Sequence, residues 1–308
     1  MELAPIVLFV YNRPSHTLQT LQALSKNDLA DKSVLYIYSD GPKHNAPNIE
    51  LDQIKEVRKI IKSEQWCKQV FITERKTNLG LDESVIEGVG ELISKNGNII
   101  VLEDDIVTSF GFLRFMNDNL RLYESTDEVM HISGYCLPVK WSKQETVLLK
   151  GGTSAWGWAT WDRAWRKFNQ NGQELYQSIL QLNTKYINQF NFEGGYNYLE
   201  FIKSNAEGKN NCWDIRWYAS VFLENGFGVW PTKSFVQNIG HDGTGSHKVN
   251  SQTYNVTETS TYFVSQKLQI KDSIAFRKRI IAFYKATNNG SLISKIKAYL
   301  KKITQNKI

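Results

Sequence analysis

Three acids stand side by side at Glu103-Asp104-Asp105, directly after the apolar run Ile99–Leu102 and before Ile106-Val107. Adjacent carboxylates repel one another unless water reaches them freely or a cation sits among them. The triplet is therefore either a solvated strand end or helix cap, or a site for a hard divalent ion. Mg²⁺ and Mn²⁺ take carboxylate oxygens together with substrate phosphates, and such an ion offsets charge building on a leaving diphosphate. A second polar cluster, Asn238-Ile239-Gly240-His241-Asp242-Gly243-Thr244-Gly245-Ser246-His247, is dense in glycine. A loop of that kind can close over a diphosphate and bring His241 or His247 to the metal; the plainer reading is an exposed loop. A third segment, Gly151–Trp165, carries four tryptophans. Trp156 and Trp158 flank Gly157 in a loop-like stretch and are candidates for a stacking floor under a sugar. Trp161 and Trp165 lie four apart on an expected helix and are read as packing.

The elements that must position these residues are legible as alternating patterns. Pro5–Tyr11 is a short, continuous apolar run ending at Asn12-Arg13-Pro14, which predicts a buried parallel strand and a loop. Ser15 can cap a helix carrying Leu18, Leu21 and Leu24. Val34–Tyr38 predicts a second strand, stopped by Asp40-Gly41-Pro42. Helical spacing follows at Ile54, Val57, Ile60 and Ile61. Val70–Thr73 predicts a third strand with Asn78-Leu79-Gly80 as its exit loop. Val85, Val89, Leu92 and Ile93 mark the next helix, and Ile99–Leu102 the fourth strand. Strands alternating with helices in this way make a doubly wound, mostly parallel α/β sheet, whose ligands sit at the carboxyl ends of the strands. Asn12-Arg13, Asp40-Gly41, Asn78–Gly80 and Glu103–Asp105 all fall at such ends. No GxxxxGK[ST] or GxGxxG segment is present, which disfavours P-loop and dinucleotide chemistry.

The chain has 308 residues, enough for one large α/β domain with a small appendage. Nine Trp and fourteen Tyr fit either an aromatic core or a carbohydrate site. Cys67, Cys136 and Cys212 are odd in number and far apart, against a disulfide framework or a zinc site. With no signal-peptide pattern and no long apolar run, a cytoplasmic location is expected. Net charge is +6, yet residues 271–308 hold ten Lys and Arg against Asp272 alone, leaving 27 basic and 30 acidic residues elsewhere.

On these motifs the chain resembles the GT-A glycosyltransferases. Among them it is similar to the inverting N-acetylglucosaminyltransferases that start complex N-glycan branching, and to their bacterial family-2-like relatives. The likeness runs in order through residues 5–245. Asn12-Arg13-Pro14-Ser15 corresponds to an Asp-Arg-Ser element, Tyr38-Ser39-Asp40-Gly41 to a Ser-x-Asp, and Leu102-Glu103-Asp104-Asp105 to a Leu-Glu-Asp-Asp. Phe110–Phe115 and Ile132-Ser133-Gly134 continue it. Ala155-Trp156-Gly157-Trp158 corresponds to a Gly-x-Gly-Trp, and Trp213-Asp214 with Trp217 to a Trp-Asp-Asp-Trp. The resemblance implies a GT-A, Rossmann-like domain over 1–265, with a nucleotide-sugar half of about 1–128 and an acceptor half of about 129–265. It implies that Asp105 chelates Mn²⁺ or Mg²⁺, Asp104 faces the ribose and Glu103 the donor sugar. Arg13, Asp40 and Gly80 then hold the nucleotide, with Asp40 at the uracil edge, and Asp214 is the catalytic base. Partial desolvation between Trp213 and Trp217 would strengthen that base; the alternative is that Asp214 caps the helix of Ile215–Phe222. Two departures from the family pattern stand out: Ile215 replaces its second Asp, and Asn12 replaces an acid before Arg13.

The implied reaction is inverting transfer of a sugar, N-acetylglucosamine by the likeness, from a UDP-sugar to a hydroxyl of a glycan, glycolipid or glycoprotein. The rivals are a retaining transferase, a sugar nucleotidyltransferase, and a non-catalytic carbohydrate-binding protein favoured by the Trp count. Residues 266–308 read as a basic helical tail, with Leu292, Ile293, Ile296, Tyr299, Leu300 and Ile303 in helical period. It either docks on the anionic inner face of a membrane, near lipid-linked acceptors, or packs on the body or on a second subunit of a homo-oligomer. Nucleic acid is not expected, since no recognition motif accompanies the charge.

Overall fold

The computed structural model describes residues 3–244, 250–256 and 262–287. The first four apolar runs form β1 (Ile6–Val10), β2 (Val34–Ser39), β3 (Gln69–Glu74) and β4 (Asn98–Glu103), joined by α1 (Pro14–Ser25), α2 (Asn48–Ile60) and α3 (Leu81–Asn96). All five β1 residues are buried. The strand pairs in parallel with β2 on one side and β4 on the other. Its alternate side chains feed two cores: Ile6, Leu8 and Val10 enter one, Val7 and Phe9 the other. Helix α1 starts at Pro14, whose fixed φ and missing N–H suit a first helical position, and not from a Ser15 cap.

The chain continues through β5 (Ile106–Thr108), α4 (Phe112–Leu122), β6 (Val129–Ser133), β7 (Thr146–Lys150) and β8 (Trp158–Trp161). Helices α5 (Asp162–Trp165), α6 (Gly172–Leu180), α7 (Thr184–Phe190), α8 (Tyr198–Ala206) and α9 (Trp213–Leu223) follow. Strands β9 (Phe227–Pro231) and β10 (Val236–Asn238) come next, and α10 occupies 274–287. One eight-stranded sheet has the order β3-β2-β1-β4-β8-β6-β9-β7. Only β8 and β7 run against the other six strands. The expected doubly wound, mostly parallel α/β sheet is therefore what the chain forms. Because β6 and β9 point the same way as β1 to β4, their carboxyl ends share the edge that carries the acidic triplet.

Two expectations change. Trp161 ends strand β8 instead of starting a helix with Trp165. The start of the tail belongs to the body: Phe276 and Ile280 are buried in the larger core. Asp272 accepts from the Lys150 N–H at 2.8 Å, and Arg277 donates to the Lys150 carbonyl at 2.6 Å. The amphipathic segment Leu292–Ile303 lies outside the described residues. All three cysteines are free, and among the described residues no helix is long and apolar enough to cross a membrane.

Candidate active site

Strand β4 delivers Glu103 as its last residue, and Asp104-Asp105 turn the chain into β5. Arg13, just past β1, lies across both aspartates. Its Nη2 and Nε donate to the two carboxylate oxygens of Asp104, the latter at 3.2 Å, and its Nη1 lies 3.0 Å from Asp105 Oδ2. Asp104, expected to face the ribose, is buried with its oxygens toward the Arg13 guanidinium. Three carboxylates face one cation. Burial, then Asp105 and Asp104, push the Glu103 carboxyl well above the usual range. Burial also raises Asp104, against the pull of Arg13. Asp105 Oδ1 is buried and has no hydrogen-bond partner. The cluster is thus short of positive charge and has one buried carboxylate oxygen without a partner.

The glycine-rich loop is brought here by a two-stranded ribbon, in which β10 pairs antiparallel with β5 and sets Asn238 opposite Ile106. The next residue, Ile239, donates its N–H to the Asp105 carbonyl at 2.9 Å. Gly240 then lies against the ion pair: a Cβ there would stand 2.0 Å from Asp105 Oδ2 and 3.0 Å from Arg13 Nη1. Asp242 latches the loop to α1 through His16, Nε2 to Oδ2 at 3.2 Å. The His241 ring packs on Trp156 and Tyr254, at 5.1 and 5.6 Å between centroids, and its Nε2 is buried without a partner. His247 lies outside the described residues. Among the described residues no three His, Cys, Asp or Glu side chains converge as a metal-holding group. What the cluster offers a cation is the unpartnered oxygen of Asp105, which fits an ion whose other ligands are phosphate oxygens and water.

Asp40 and Gly80 serve each other. Asp40 accepts from the N–H groups of Gly41, Leu79 and Gly80 and from Asn78 Nδ2, each at 2.9 Å. A carboxylate has about four acceptor sites, and these four donors occupy them in the ligand-free protein. Gly80 in turn spends its N–H on Asp40, and its φ of 85° and ψ of 160° lie where glycine alone is at ease. Both residues shape the turn that opens α3.

The aromatic expectation divides. Trp158 is fully buried in β8, stacked on Trp213 at 5.1 Å and on His131 at 5.5 Å. Trp165, Trp213, Trp217 and His131 enclose its ring, so it is core and not a sugar platform. Trp156 stays half-buried outside the strand, edge-on to Tyr135 and His241. None of the nine tryptophans is exposed, which removes the observation that favoured a Trp-faced binding protein.

Asp214 occupies the first turn of α9, its Oδ1 accepting from the Ile215 N–H at 2.7 Å. The residue before it, Trp213, donates its N–H to Asp82 of α3 at 2.6 Å, so Asp214 starts α9 beside the first turn of α3, and its charge raises both Asp82 and Glu103. Asp82, His16 and Asp242 are the residues the sequence reading missed. An acid in a helix's first turn and a histidine early in a helix are common without any function.

No known protein-family profile matches the chain, and no curated protein does. Solved structures do. Mouse xyloside xylosyltransferase 1 in its apo form is similar at 9% identity over 72% of this chain and 82% of that one, with a TM-score of 0.39. TarS from S. aureus is similar at 10% identity over 78% of this chain, which spans only 37% of TarS, with a TM-score of 0.40. An apo UDP-glucose pyrophosphorylase is similar at 10% identity over 77% and 93%, with a TM-score of 0.37. Overlaps of this size assign neither reaction nor substrate, which rest on the site itself.

Proposed function

We propose that the chain is an inverting glycosyltransferase that moves a sugar from a UDP-sugar to an acceptor hydroxyl, with N-acetylglucosamine the first donor to test. One observation carries this reading. At the carboxyl edge of a parallel sheet, a charge-deficient carboxylate cluster with one unpartnered oxygen lies under a glycine loop, within electrostatic reach of a further carboxylate on α9. A diphosphate needs cations beside it, and a displacement at an anomeric carbon needs a carboxylate on the acceptor side.

In this reading Arg13 orders the two aspartates, and Asp105 Oδ1 would hold a divalent ion. Bound Mn²⁺ or Mg²⁺ would supply the charge that lets the diphosphate depart. Asp214 takes the acceptor's proton as the new bond forms, an effect typically worth about 10²–10⁴-fold. Glu103, the member of the triplet that ends β4, is the residue proposed to face the donor sugar. The loop of Gly240 and His241 covers the diphosphate, with His241 a second candidate ligand.

The test is a thermal-shift screen of UDP and UDP-sugars with and without Mn²⁺, since a ligand that binds only the folded state raises its melting temperature. UDP with Mn²⁺ should raise it in the parent protein and in Asp214→Asn, and leave Asp105→Ala unmoved. Transfer should vanish in both variants. An Asp105→Ala protein that still responds to UDP only when Mn²⁺ is present would overturn the metal assignment, and normal turnover by Asp214→Asn would overturn the base.

A further inference from the structure

The first N–H groups of a helix have no partner inside it and call for an acceptor. Helix α9 begins at Trp213, and its cap residue, Cys212, accepts no side-chain hydrogen bond. The missing acceptor comes from a different helix: Asp82 of α3 takes the Trp213 N–H on Oδ1 at 2.6 Å. Its other oxygen faces Arg216 Nη2 at 3.2 Å, one turn further along α9. Both side chains are largely enclosed, at 16% and 11% exposure. Arg216 is fixed in turn by the Gln170 and Asn211 carbonyls. Asp214 lies between the two residues that Asp82 holds.

Asp82 itself has a defined origin. It stands two residues beyond Gly80, in the turn that Asp40 pins at the end of β2. The position of α9 is thus transmitted from the donor side of the sheet through two carboxylates, Asp40 and then Asp82. We infer that Asp82 is a positioning residue for the proposed base, holding the first turn of α9, which carries Asp214, and setting a second carboxylate beside it; this rests on the reading of Asp214 as that base.

The charges around Asp214 fix the direction of the effect. Asp82 of α3 lies beside it, bound to the Trp213 N–H, and Arg216 is on its own helix; the carboxyl of Glu103 and the Cys212 thiol and Tyr196 phenol, both pushed up by burial and neutral at pH 7, complete its surroundings. A negative neighbour favours the protonated form of a carboxyl and a positive one the ionised form. Burial raises Asp82 to about 6, opposed by the Trp213 N–H and Arg216, so at neutral pH it is mainly charged. Its charge makes Asp214 a stronger base.

Asp82→Asn separates charge from capping, because the amide oxygen still accepts from Trp213. With ¹³C-carboxyl aspartate labelling, the Asp214 titration midpoint should move down in Asp82→Asn and up in Arg216→Gln. Release of UDP from UDP-N-acetylglucosamine should fall about tenfold in Asp82→Asn, a fraction of the roughly 10²–10⁴-fold that a general base supplies. UDP affinity should stay within about twofold, since a positioning residue for the base does not bind the nucleotide. Midpoints that stay put in both variants, while Asp214→Asn is inactive, would overturn the role of Asp82 and leave the base reading intact. An active Asp214→Asn would instead overturn the base reading and this inference with it. If Asp82→Asn does not fold, the Arg216→Gln midpoint alone decides, an unmoved value counting against the inference.

Discussion

Arg13 carries the charge balance of the site. It is the cation that the structure sets on Asp104 and Asp105, and it leaves Asp105 Oδ1 without a partner. A guanidinium stays protonated at any working pH, so the cluster keeps this one charge whatever else binds. The loop that covers the pair has no room to spare at Gly240. In Gly240→Ala the new methyl would meet Asp105 Oδ2 at 2.0 Å, and either the carboxylate or the loop must move. Because Ile239 is tied to the Asp105 carbonyl, both shift together. Gly240→Ala should therefore lose most of the UDP-dependent rise in melting temperature, while the unliganded protein loses about 1–3 kcal/mol, the usual cost of overpacking. An unchanged UDP response would mean that the loop does not cover the diphosphate. The residue types here were legible: three adjacent acids after a strand and an arginine after another announce a polar edge. Their partners were not, because Arg13 and Asp104 are 91 positions apart. Nothing in Ser39-Asp40-Gly41 distinguishes an acid that binds a nucleotide from one that accepts four protein donors.

At the scale of elements, the seam between β6, β8 and α9 shows why one tryptophan is core and its neighbour is not. Alternation in β8 turns Trp158 onto the face that α9 covers, where it meets Trp213 and, from β6, His131. His131 is fully buried, and both its ring nitrogens face N–H donors, Trp217 Nε1 and Ser154 N, each at 3.1 Å. A neutral imidazole can accept one of these; a second proton would set both nitrogens against N–H groups. Burial accordingly lowers the His131 pKa from 6.5 to about 3. The sign follows from proton counting. Between those two values the unfolded chain binds a proton that the folded chain does not, so stability falls as pH drops from about 6.5 toward 3. Urea midpoints measured across that window should decline less in His131→Gln than in the parent protein, and parallel curves would show that this ring is not responsible. The strands and helices of the first hundred residues were readable because their period changes cleanly from two-sided apolar runs to helical spacing. This seam was not, since tryptophans two apart fit a loop as well as a strand until a partner strand is known.

For the whole molecule, the question is where the domain ends. Composition separates a basic stretch from 271 onward, and on charge alone it reads as an appendage. Packing draws the line later. Phe276 is fully buried and meets Trp141 edge-on at 5.5 Å, while Arg277 is fixed by Asp272 at 2.6 Å and by the Lys150 carbonyl at the end of β7. Strand β7 is the last in the sheet order, paired only with β9, and Asp272 accepts the Lys150 N–H there. The chain after β10 thus returns to protect an exposed sheet edge, a standard need of open sheets. Five of the ten basic residues, Lys271, Arg277, Lys278, Arg279 and Lys285, fall within this described segment. Half of the charge that suggested a separate tail is therefore carried by the body, where Arg277 is buried against Asp272 and the other four side chains are exposed. Phe276→Ala should cost about 3–5 kcal/mol, as expected for an aromatic removed from a packed core, with a single unfolding transition in urea. A second, earlier transition, or no loss at all, would mark α10 as an appendage that folds apart from the sheet. A cooperative loss would make 274–287 part of the one domain that carries the site.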